Sequence, residues 1–469
     1  MMATQNREDA LPFDLAGRRV LIYSLGLEGR DLARFMLARG AAVTISDTRG
    51  EAQLAAAGAA APEGVERVVS GQDLLDPAGF DLVAVSQSVL RYNPALIRAR
   101  ELGIPFTSQM RLFLQLCRGR VIGITGSSGK STTTALVAAM ASEAGIRFVS
   151  GGNIGTESIL GRLDEIDAGT TVILEISHTQ LQYTDRSPAI AAITNVTPNH
   201  LDQFSWDEYV GLKRNILHYQ QAGDSAILNA DDPTSRPLMA AVKGRLVRTS
   251  IDGEVPGDGA WLEDSRVLVR AGRLAHALCD QEAIRLRGRH NLSNVVMAAA
   301  IGAEAGFPRE AMQRAIASFH GVPHRLEVAG TALGATWVND SIATSPERAM
   351  AGLNAFTEPV ILLLGGREKN LPLDGLQQLA RTRCRAVICF GEARNAFAEA
   401  LRAVVPNTRV VETLEDAVGA AAGAVRPGDV VLLSPAGTSF DAYPSFEVRG
   451  EHFRALVRAL PGFSPEVPP

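Results

Sequence analysis

The chain has 469 residues, 46% of them hydrophobic and 21% charged, and 46 Lys and Arg against 51 Asp and Glu give a net charge of −5. This composition excludes a largely disordered chain, and the charge balance argues against nucleic-acid binding through a broad basic surface. The apolar runs, such as residues 360–364, are far shorter than the roughly 20 residues that span a bilayer, so we expect no membrane partner.

Short runs rich in Val, Ile and Leu alternate with helical patterns along most of the chain. The predicted strands are residues 19–23, 42–46, 82–86, 121–125, 172–176, 190–195, 226–229, 360–364, 386–390 and 430–433. Helical segments such as residues 31–38 and 132–143 lie between them, which predicts βαβ units with mainly parallel sheets. Residues 251–287 predict short antiparallel strands instead. In this architecture ligands bind where strands end.

The sequence GITGSSGKSTTT, residues 123–134, predicts a phosphate-binding loop. A strand ends at Thr125, a glycine-rich turn follows, and a helix begins near Lys130. Backbone N–H groups and the helix N-terminus would cradle phosphate oxygens, Lys130 would reach the β/γ-phosphates, and the Ser131 hydroxyl would ligate magnesium. The alternative is a structural Gly-Ser turn. The residues predicted to bind ATP here are Gly126, Ser127, Ser128, Gly129, Lys130, Ser131 and Thr132.

The sequence SLGLEG, residues 24–29, follows the first predicted strand and resembles a dinucleotide-binding turn. Ser24 replaces the first glycine of that pattern, and Asp47 ends the second strand about 20 residues further on. Three interpretations stay open: a tight structural turn, a nicotinamide or flavin site, and a site for another nucleotide diphosphate.

Two metal-ligating residues follow strands of the same predicted central sheet. Glu175 ends the strand in TVILEIS, and His200 lies in NVTPNHLDQF. Taken singly, either residue could be a solvated or core residue. Magnesium prefers carboxylate and phosphate oxygens, so together with the phosphate loop these residues predict a magnesium site.

These motifs resemble those of the Mur ligase family, over essentially the whole chain. The matching pieces are GLEG, DTR, ITGSSGKST, GGNIG, EISHTQL, NVTPNHLD, LNADD, GRHNLSN, PHRLE, NDSIATS, LLLGGREK and LLSPAGTSFDAYPSFEVRG. The resemblance implies an α/β protein of three domains. Residues 1–117 would form a Rossmann-like domain for a UDP-linked substrate, residues 118–321 a P-loop ATPase-like domain with a mainly parallel sheet, and residues 322–469 a Rossmann-like domain for glutamate.

The resemblance implies an ATP-dependent acid–amino-acid ligase that works through an acyl phosphate in peptidoglycan precursor synthesis. Within the family the motifs are closest to members that add D-glutamate to UDP-N-acetylmuramoyl-L-alanine. The expected cofactors are ATP and two Mg²⁺ ions, with no flavin or nicotinamide, and we expect a cytoplasmic monomer. The alternatives are a member that adds L-glutamate or another amino acid, a Rossmann oxidoreductase fused to a P-loop module, and a non-catalytic nucleotide-binding regulator.

The resemblance also implies roles for individual residues. The expected UDP-substrate residues are Leu27, Glu28, Asp47, Thr48 and Arg49. Further ATP residues are Asn291, Asn294, Arg325 and Asp340, and the expected glutamate residues are Thr344, Lys369, Ser439 and Phe446. The expected catalytic residues are Lys130, Asn153, His200 and Lys213, and the expected metal ligands are Ser131, Glu175, His200 and Lys213, the last if carbamylated.

Lys213 matches the lysine that this family carbamylates. An ammonium group has three donors and no acceptor, so an unmodified lysine cannot ligate a cation. Carbamylation would replace the positive group with anionic oxygens suited to the second magnesium ion. The alternative is a solvated lysine on a helix.

Two positions depart from the family pattern. Ile342 stands where the family usually has Lys, and Arg348 or Arg367 could supply that charge. Residues 86–88 read SQS where a Ser-Pro-Gly loop is common near the uridine. The DSI run is also similar to that of ligases for L-glutamate, so both enantiomers stay open.

Overall fold

The computed structural model describes residues 15–465 except residues 57, 154–157, 200, 202, 287, 369 and 370. The described chain forms three sheets and divides into two compact units. The first unit extends to Ile284 and includes His290–Ser318, and the second contains Arg285–Arg289 and the chain from Phe319 onwards.

The first sheet is parallel throughout. In chain order its elements are β1 (Arg19–Tyr23), α1 (Leu27–Leu37), β2 (Ala42–Asp47), α2 (Glu51–Ala56), β3 (Arg67–Ser70), β4 (Leu82–Val85), α3 (Pro94–Glu101), β5 (Phe106–Ser108) and α4 (Gln109–Leu116). The strand order is β3-β2-β1-β4-β5. The order changes direction beside β1, so the loops that follow β1 and β4 lie at a switch point, where ligands bind in such sheets.

The central sheet has nine strands. Its elements are β6 (Arg120–Thr125), α5 (Lys130–Glu143), β7 (Phe148–Gly152), β8 (Thr171–Glu175), α6 (His178–Leu181), β9 (Ile190–Ile193), α7 (Trp206–His218), β10 (Ser225–Asn229), β11 (Arg245–Ser250), β12 (Gly259–Glu263), β13 (Arg266–Arg270), β14 (Ala275–Asp280), α8 (Arg289–Ala305) and α9 (Arg309–Ser318). The order is β14-β13-β12-β11-β10-β9-β6-β8-β7. All pairs are parallel except β12–β13 and β13–β14, as residues 251–287 predict.

The first two sheets share one apolar core. A single cluster of buried side chains extends from Leu15 to Leu238 and includes residues of both sheets. This shared core explains why the two sheets belong to one compact unit.

The second unit is built on the third sheet. Its elements are β15 (Glu327–Ala332), β16 (Ala335–Asn339), α10 (Pro346–Leu353), β17 (Val360–Gly365), α11 (Asp374–Arg383), β18 (Cys384–Phe390), α12 (Arg394–Arg402), β19 (Thr408–Val410), α13 (Leu414–Ala422), β20 (Val430–Ala436) and α14 (Phe446–Arg458). The order is β15-β16-β20-β17-β18-β19, and only β15 is antiparallel to its neighbour. Apolar clusters cover both faces, which explains the continuous apolar strands.

The predicted α/β class with mainly parallel sheets is confirmed. Helix α1 begins at Leu27, four residues before the predicted segment, so the GLEG motif itself opens the helix. Strand β9 ends at Ile193 rather than at residue 195. None of the helices in the described part of the chain is long and apolar enough to cross a membrane.

Candidate active site

The predicted phosphate loop is a tight turn between β6 and α5. Gly126 (φ +155°) and Gly129 (φ +81°) take backbone conformations that residues with a Cβ rarely adopt. A Cβ at Gly126 would lie 1.8 Å from Thr194 Oγ1, and one at Gly129 would lie 2.2 Å from Asn294 Oδ1. No side chain of the described residues caps the N-terminus of α5, so its first N–H groups are available to an anion.

The segment that follows β9 holds this loop in place. Thr194 Oγ1 donates to the carbonyl oxygen of Ser128 at 2.6 Å. Asn195 Oδ1 accepts from the Ser128 backbone N–H at 3.0 Å, and Asn195 Nδ2 donates to the Ser128 carbonyl at 3.1 Å. The sequence analysis did not single out these two residues. The sequence signal for them was their position directly after β9, which is adjacent to β6. The predicted strand included both residues and so concealed this position.

Two lysine side chains meet at one carbonyl oxygen of the loop. Lys130 Nζ donates to the Gly126 carbonyl at 2.9 Å, and Lys213 Nζ donates to the same oxygen at 2.7 Å. Lys213 is only 1% exposed. Burial and then the charge of Lys130 lower the pKa of Lys213 well below its ordinary value, although the charge of Glu175 acts in the opposite direction. Lys213 is therefore a buried lysine, not a solvated one.

Glu175 lies beside the loop because β8 pairs with β6, where Glu175 is opposite Ile124. Its Oε1 accepts from Asn153 Nδ2 at 2.8 Å, whereas its Oε2 is buried without a hydrogen-bond partner among the described residues. A buried carboxylate oxygen without a partner is costly, and a bound cation would satisfy it.

The oxygen atoms of Glu175 and Ser131 are ligands of the kind that Mg²⁺ binds. The described residues include no group of three or more His, Cys, Asp or Glu that could hold a metal ion. Magnesium does not need such a group, since it usually combines one or two carboxylates with phosphate oxygens and water. Glu175 and the half-buried Ser131 at the start of α5 supply donors of that kind.

Asn291 and Asn294, near the start of α8, also lie at the loop. Asn294 is 6% exposed, and its Oδ1 faces the Cα of Gly129 so closely that no Cβ would fit there. Asn294 Nδ2 donates to Asn291 Oδ1 at 3.2 Å. The structure thus brings together residues from β6, α5, β8, α7 and α8 that the sequence analysis assigned to ATP and metal.

The turn after β1 is fastened to the end of β2. Asp47 Oδ2 accepts from the Leu25 backbone N–H at 2.7 Å and from Arg49 Nη2 at 2.7 Å, and Asp47 Oδ1 accepts from Arg49 Nε at 3.0 Å. Burial alone would raise the pKa of Asp47, but the hydrogen bonds from Arg49 and Leu25 hold it below the usual range. Thr48 between them is exposed. Asp47 therefore orients Arg49 and the turn at the start of α1.

Glu28, expected near the UDP group, joins two parts of the first unit. Its Oε2 accepts from the Gln87 backbone N–H at 2.6 Å, and its Oε1 accepts from Gln180 Nε2 at 2.8 Å. Gln87 Oε1 in turn accepts from Ser177 Oγ at 2.7 Å and Thr179 Oγ1 at 2.9 Å. Burial raises the pKa of Glu28. The departure at residues 86–88 thus supplies a glutamine that links the first sheet to the segment after Glu175.

A cavity of about 270 Å³ lies beside the start of α1. Leu27 and Glu28 from α1 and Asn153 after β7 all line it, which brings two predicted sites to one space. Arg30 and Arg34 line it too, and the sequence analysis missed them. Their four-residue spacing on α1, which places both on one helix face, was the available signal.

In the second unit, Asp340 follows β16 and is 4% exposed. Its Oδ1 accepts from the Leu326 backbone N–H at 3.2 Å, and its Oδ2 accepts from Ser434 Oγ at 2.8 Å. Burial raises its pKa to about 7, against these hydrogen bonds and the charges of Arg325 and Arg348. Asp340 therefore fastens β16 to the segments around it, and the half-buried Arg325 lies near it.

The expected glutamate residues of the second unit lie on loops that follow β16 and β20 and at the start of α14. Thr344 and Phe446 are half-buried, and Ser439 is 2% exposed. Ser341 Oγ donates to the Phe446 carbonyl at 2.8 Å, which joins the first of these loops to α14.

The charge missing at Ile342 has two proposed substitutes, and the structure distinguishes them. Arg348 Nη1 donates to the Ile342 carbonyl at 3.2 Å. Arg367 instead forms an ion pair with Glu392 at 3.0 Å. Arg348 is therefore the better placed of the two. His200 and Lys369 lie outside the described residues.

Comparison with known families shows matches over two parts of the chain. Residues 124–302 match the Mur ligase middle domain, and residues 324–437 match the Mur ligase glutamate ligase domain.

Two curated relatives are similar over nearly the whole length of both chains. A UDP-N-acetylmuramoylalanine–D-glutamate ligase from Symbiobacterium thermophilum is 38% identical over 447 residues, which are 94% of this chain and 98% of that protein. A protein of the same name from Clostridium botulinum is 35% identical over 451 residues, 94% of this chain and 97% of that protein.

Solved structures share the fold. A UDP-N-acetylmuramate–alanine ligase from Thermotoga maritima matches with a TM-score of 0.55 and 18% identity, over 93% of this chain and 98% of that one. A pseudomurein peptide ligase from Methanothermus fervidus matches with a TM-score of 0.52 and 15% identity, over 94% of this chain and 99% of that one.

Proposed function

Because this chain belongs to the Mur ligase family, we propose that it uses ATP to join D-glutamate to UDP-N-acetylmuramoyl-L-alanine, a step of peptidoglycan precursor synthesis. The activity for which two relatives are named, at 35–38% identity over 94% of the chain, supports this substrate pair. We further propose that the protein is a cytoplasmic monomer with domain boundaries near residues 117 and 321.

One observation carries the proposal: the buried carboxylate of Glu175, with an oxygen that lacks a partner among the described residues, lies beside an open phosphate loop. Neither a structural turn nor a nicotinamide site calls for such a carboxylate. A magnesium ion between Glu175, Ser131 and the nucleotide would neutralise negative charge as phosphate is transferred.

The chain's own residues would position and neutralise the reacting groups. The carboxylate of the UDP-linked substrate attacks the γ-phosphorus of ATP, the bond to ADP breaks, and an acyl phosphate forms. The glutamate amine then attacks the acyl carbon, the nitrogen loses a proton, and inorganic phosphate leaves to give the amide. Lys130 would bind the β- and γ-phosphates, while Asn153 and His200 would face the reacting carboxylate. Holding charged reactants in one geometry supplies most of the catalysis in such transfers.

Lys213 would serve as the carbamylated lysine that holds a second magnesium ion. Its neutral amine would attack CO₂, forming a C–N bond and releasing a proton, and the low pKa of this buried group supports that step. The product is an anion beside Lys130, whereas the unmodified ammonium shares the Gly126 carbonyl with that cation. Carbamylation would therefore place an anion beside Lys130, a position where a protonated Lys213 would be repelled.

The residues expected to bind the three substrates can be assigned in the same way. Leu27, Glu28 and the turn fastened by Asp47 and Arg49 would border the UDP group, with Thr48 between them, and the cavity beside α1 is roomy enough for part of that substrate. The other assignments rest on motif resemblance. They are Asn291, Asn294, Arg325 and Asp340 for ATP, and Thr344, Lys369, Ser439 and Phe446 for glutamate.

The direct test combines the protein with ATP, Mg²⁺, UDP-N-acetylmuramoyl-L-alanine and either enantiomer of glutamate, and it measures phosphate release. We expect release with D-glutamate that Lys130→Ala abolishes. Phosphate release with L-glutamate alone would show that D-glutamate is the wrong enantiomer. No release with either enantiomer would defeat the proposal.

A second test addresses Lys213. We expect Lys213→Ala to lose activity and to regain part of it when a short-chain carboxylate is added, because the added anion can occupy the position of the carbamate. Full activity of the plain variant would remove Lys213 from the site. Lys243→Ala, which removes a lysine that donates to the His218 carbonyl at the exposed end of α7, is the matched control.

A further inference from the structure

Arg449 on α14 is a fully buried cation that no assigned role explains. It is 0% exposed, and no carboxylate of the described residues forms an ion pair with it. Its acceptors are neutral: Ser341 Oγ at 3.0 Å, the Ser341 carbonyl at 2.9 Å and the Gly437 carbonyl at 3.2 Å. Burying a charge without a direct ion pair is expensive, and the charge of Asp441 acts on Arg449 without forming one.

The guanidinium group lies beneath three loops. Ser341 follows β16 and Gly437 follows β20, so the group joins the ends of two adjacent strands. Gly366, after the neighbouring strand β17, approaches so closely that a Cβ there would lie 2.8 Å from Arg449 Nη1. These are the carboxyl ends of three adjacent parallel strands, which is where an α/β sheet binds its ligand.

The same loops carry the residues proposed to hold glutamate. Thr344 is three residues after Ser341, and Ser439 is two residues after Gly437. Ser341 Oγ accepts from Arg449 Nε and donates to the Phe446 carbonyl, which ties the third of these residues to the same guanidinium. The planar guanidinium group of an arginine donates several hydrogen bonds in fixed directions, so it can hold two loops at a set separation. The ammonium group of a lysine has no such fixed geometry.

We propose that Arg449 is a positioning residue for the amino-acid substrate: its hydrogen bonds set the spacing of the loops after β16 and β20, and its buried positive charge favours a dicarboxylate beside them. The inference rests on the proposed function. Glutamate carries two carboxylates and one ammonium, so its net negative charge complements a buried cation that forms no direct ion pair within the described part of the chain. Burial lowers the pKa of Arg449 to about 10, although the charge of Asp441 acts in the opposite direction.

The test separates loop spacing from charge. Arg449→Lys keeps the positive charge but loses the planar guanidinium donors, and Arg449→Gln loses both the charge and those donors. Because charge-assisted hydrogen bonds contribute about 1.5–3 kcal/mol, we expect the KM for glutamate to rise about 10-fold in the first variant and about 100-fold in the second. The KM for ATP should change by less than about 3-fold, since a change that small corresponds to less than one such hydrogen bond.

Hydroxylamine trapping distinguishes positioning from general damage. Without glutamate, hydroxylamine attacks the acyl phosphate, a C–N bond forms, and phosphate leaves to give a hydroxamate. Wild-type protein should form this product, and failure there would defeat the proposed function instead. The Arg449 variants should form it at nearly the wild-type rate. Equal losses in the hydroxamate and glutamate reactions would overturn the inference.

Two further variants keep the test decisive. If thermal unfolding shows that both Arg449 variants are unfolded, Ser341→Ala removes one acceptor and should raise the glutamate KM alone. Arg454→Lys is the matched control, because Arg454 lies on the same helix but pairs with Glu451 at 2.9 Å and Glu327 at 3.4 Å instead of with the loops. The Arg454→Lys control should leave the KM values and the rate of hydroxamate formation unchanged. A normal KM for glutamate in Ser341→Ala would contradict the inference.

Discussion

Gly126→Ala tests whether the shape of the phosphate loop, rather than its charge alone, binds the nucleotide. The added Cβ would lie 1.8 Å from Thr194 Oγ1 on a backbone with φ +155°. Thr194 would have to move, which would break its 2.6 Å hydrogen bond to the Ser128 carbonyl. Strained backbone costs about 1–3 kcal/mol and a lost hydrogen bond about 1 kcal/mol.

These two costs sum to about 2–4 kcal/mol, which corresponds to a loss of ATP affinity of about 30- to 1000-fold if the loop relaxes by opening. Isothermal titration of ATP with Mg²⁺ measures it. Gly145→Ala is the matched control, since Gly145 also has a positive φ (+65°) just after α5 but has open space around it. The control should lose stability yet bind ATP normally.

A double variant sharpens the result. Thr194→Ala removes the hydroxyl that the new methyl group would meet, so Gly126→Ala with Thr194→Ala should bind ATP better than Gly126→Ala alone. ATP affinity of the wild-type value in Gly126→Ala would refute the loop geometry as the cause of binding.

Three further outcomes follow from the described contacts. Glu175→Gln keeps the side-chain size but removes the charge, so we expect kcat to fall at least about 100-fold and the Mg²⁺ needed for half-maximal rate to rise, measured by magnesium titration. Asp340 has a pKa of about 7 in the folded state against an ordinary 3.8, so the native state retains a proton that the unfolded chain releases. The free energy of unfolding of the second unit should therefore fall as pH rises from about 4 to 7, by on the order of 4 kcal/mol, and urea titrations of Asp340→Asn should show a smaller slope. Gln87→Ala removes the oxygen that accepts hydrogen bonds from Ser177 and Thr179. It should raise the KM for the UDP-linked substrate and change the KM for ATP little. The reverse pattern would contradict a role of Gln87 in joining the first sheet to the segment after Glu175.

The central strands of each sheet could be predicted because they are nearly continuous apolar runs, a pattern that burial on both faces requires. Residues 121–125 and 430–433 are examples, and β6 and β20 contain them. The prediction of one strand end failed where the chain turns to hold the phosphate loop. Strand β9 ends two residues early because Thr194 and Asn195 bond to the phosphate loop instead of continuing the strand.

The candidate site was predictable where local sequence sets the geometry, as in the turn from Gly126 to Gly129. Contacts between distant segments were not. Glu28 reaches Gln180 across 152 residues, and Arg449 reaches Ser341 across 108. Such pairs depend on which loops the tertiary fold brings together, and neither periodicity nor spacing along one chain records that.

The central claim is that ATP activates a carboxylate of the substrate as an acyl phosphate on the loop before α5. The most direct measurement starts with UDP-N-acetylmuramoyl-L-alanine labelled with ¹⁸O in its carboxylate and analyses the phosphate released with D-glutamate by mass spectrometry. Attack of the carboxylate on the γ-phosphorus predicts one ¹⁸O atom transferred to each phosphate. Phosphate free of the label, released together with the amide product, would contradict the account.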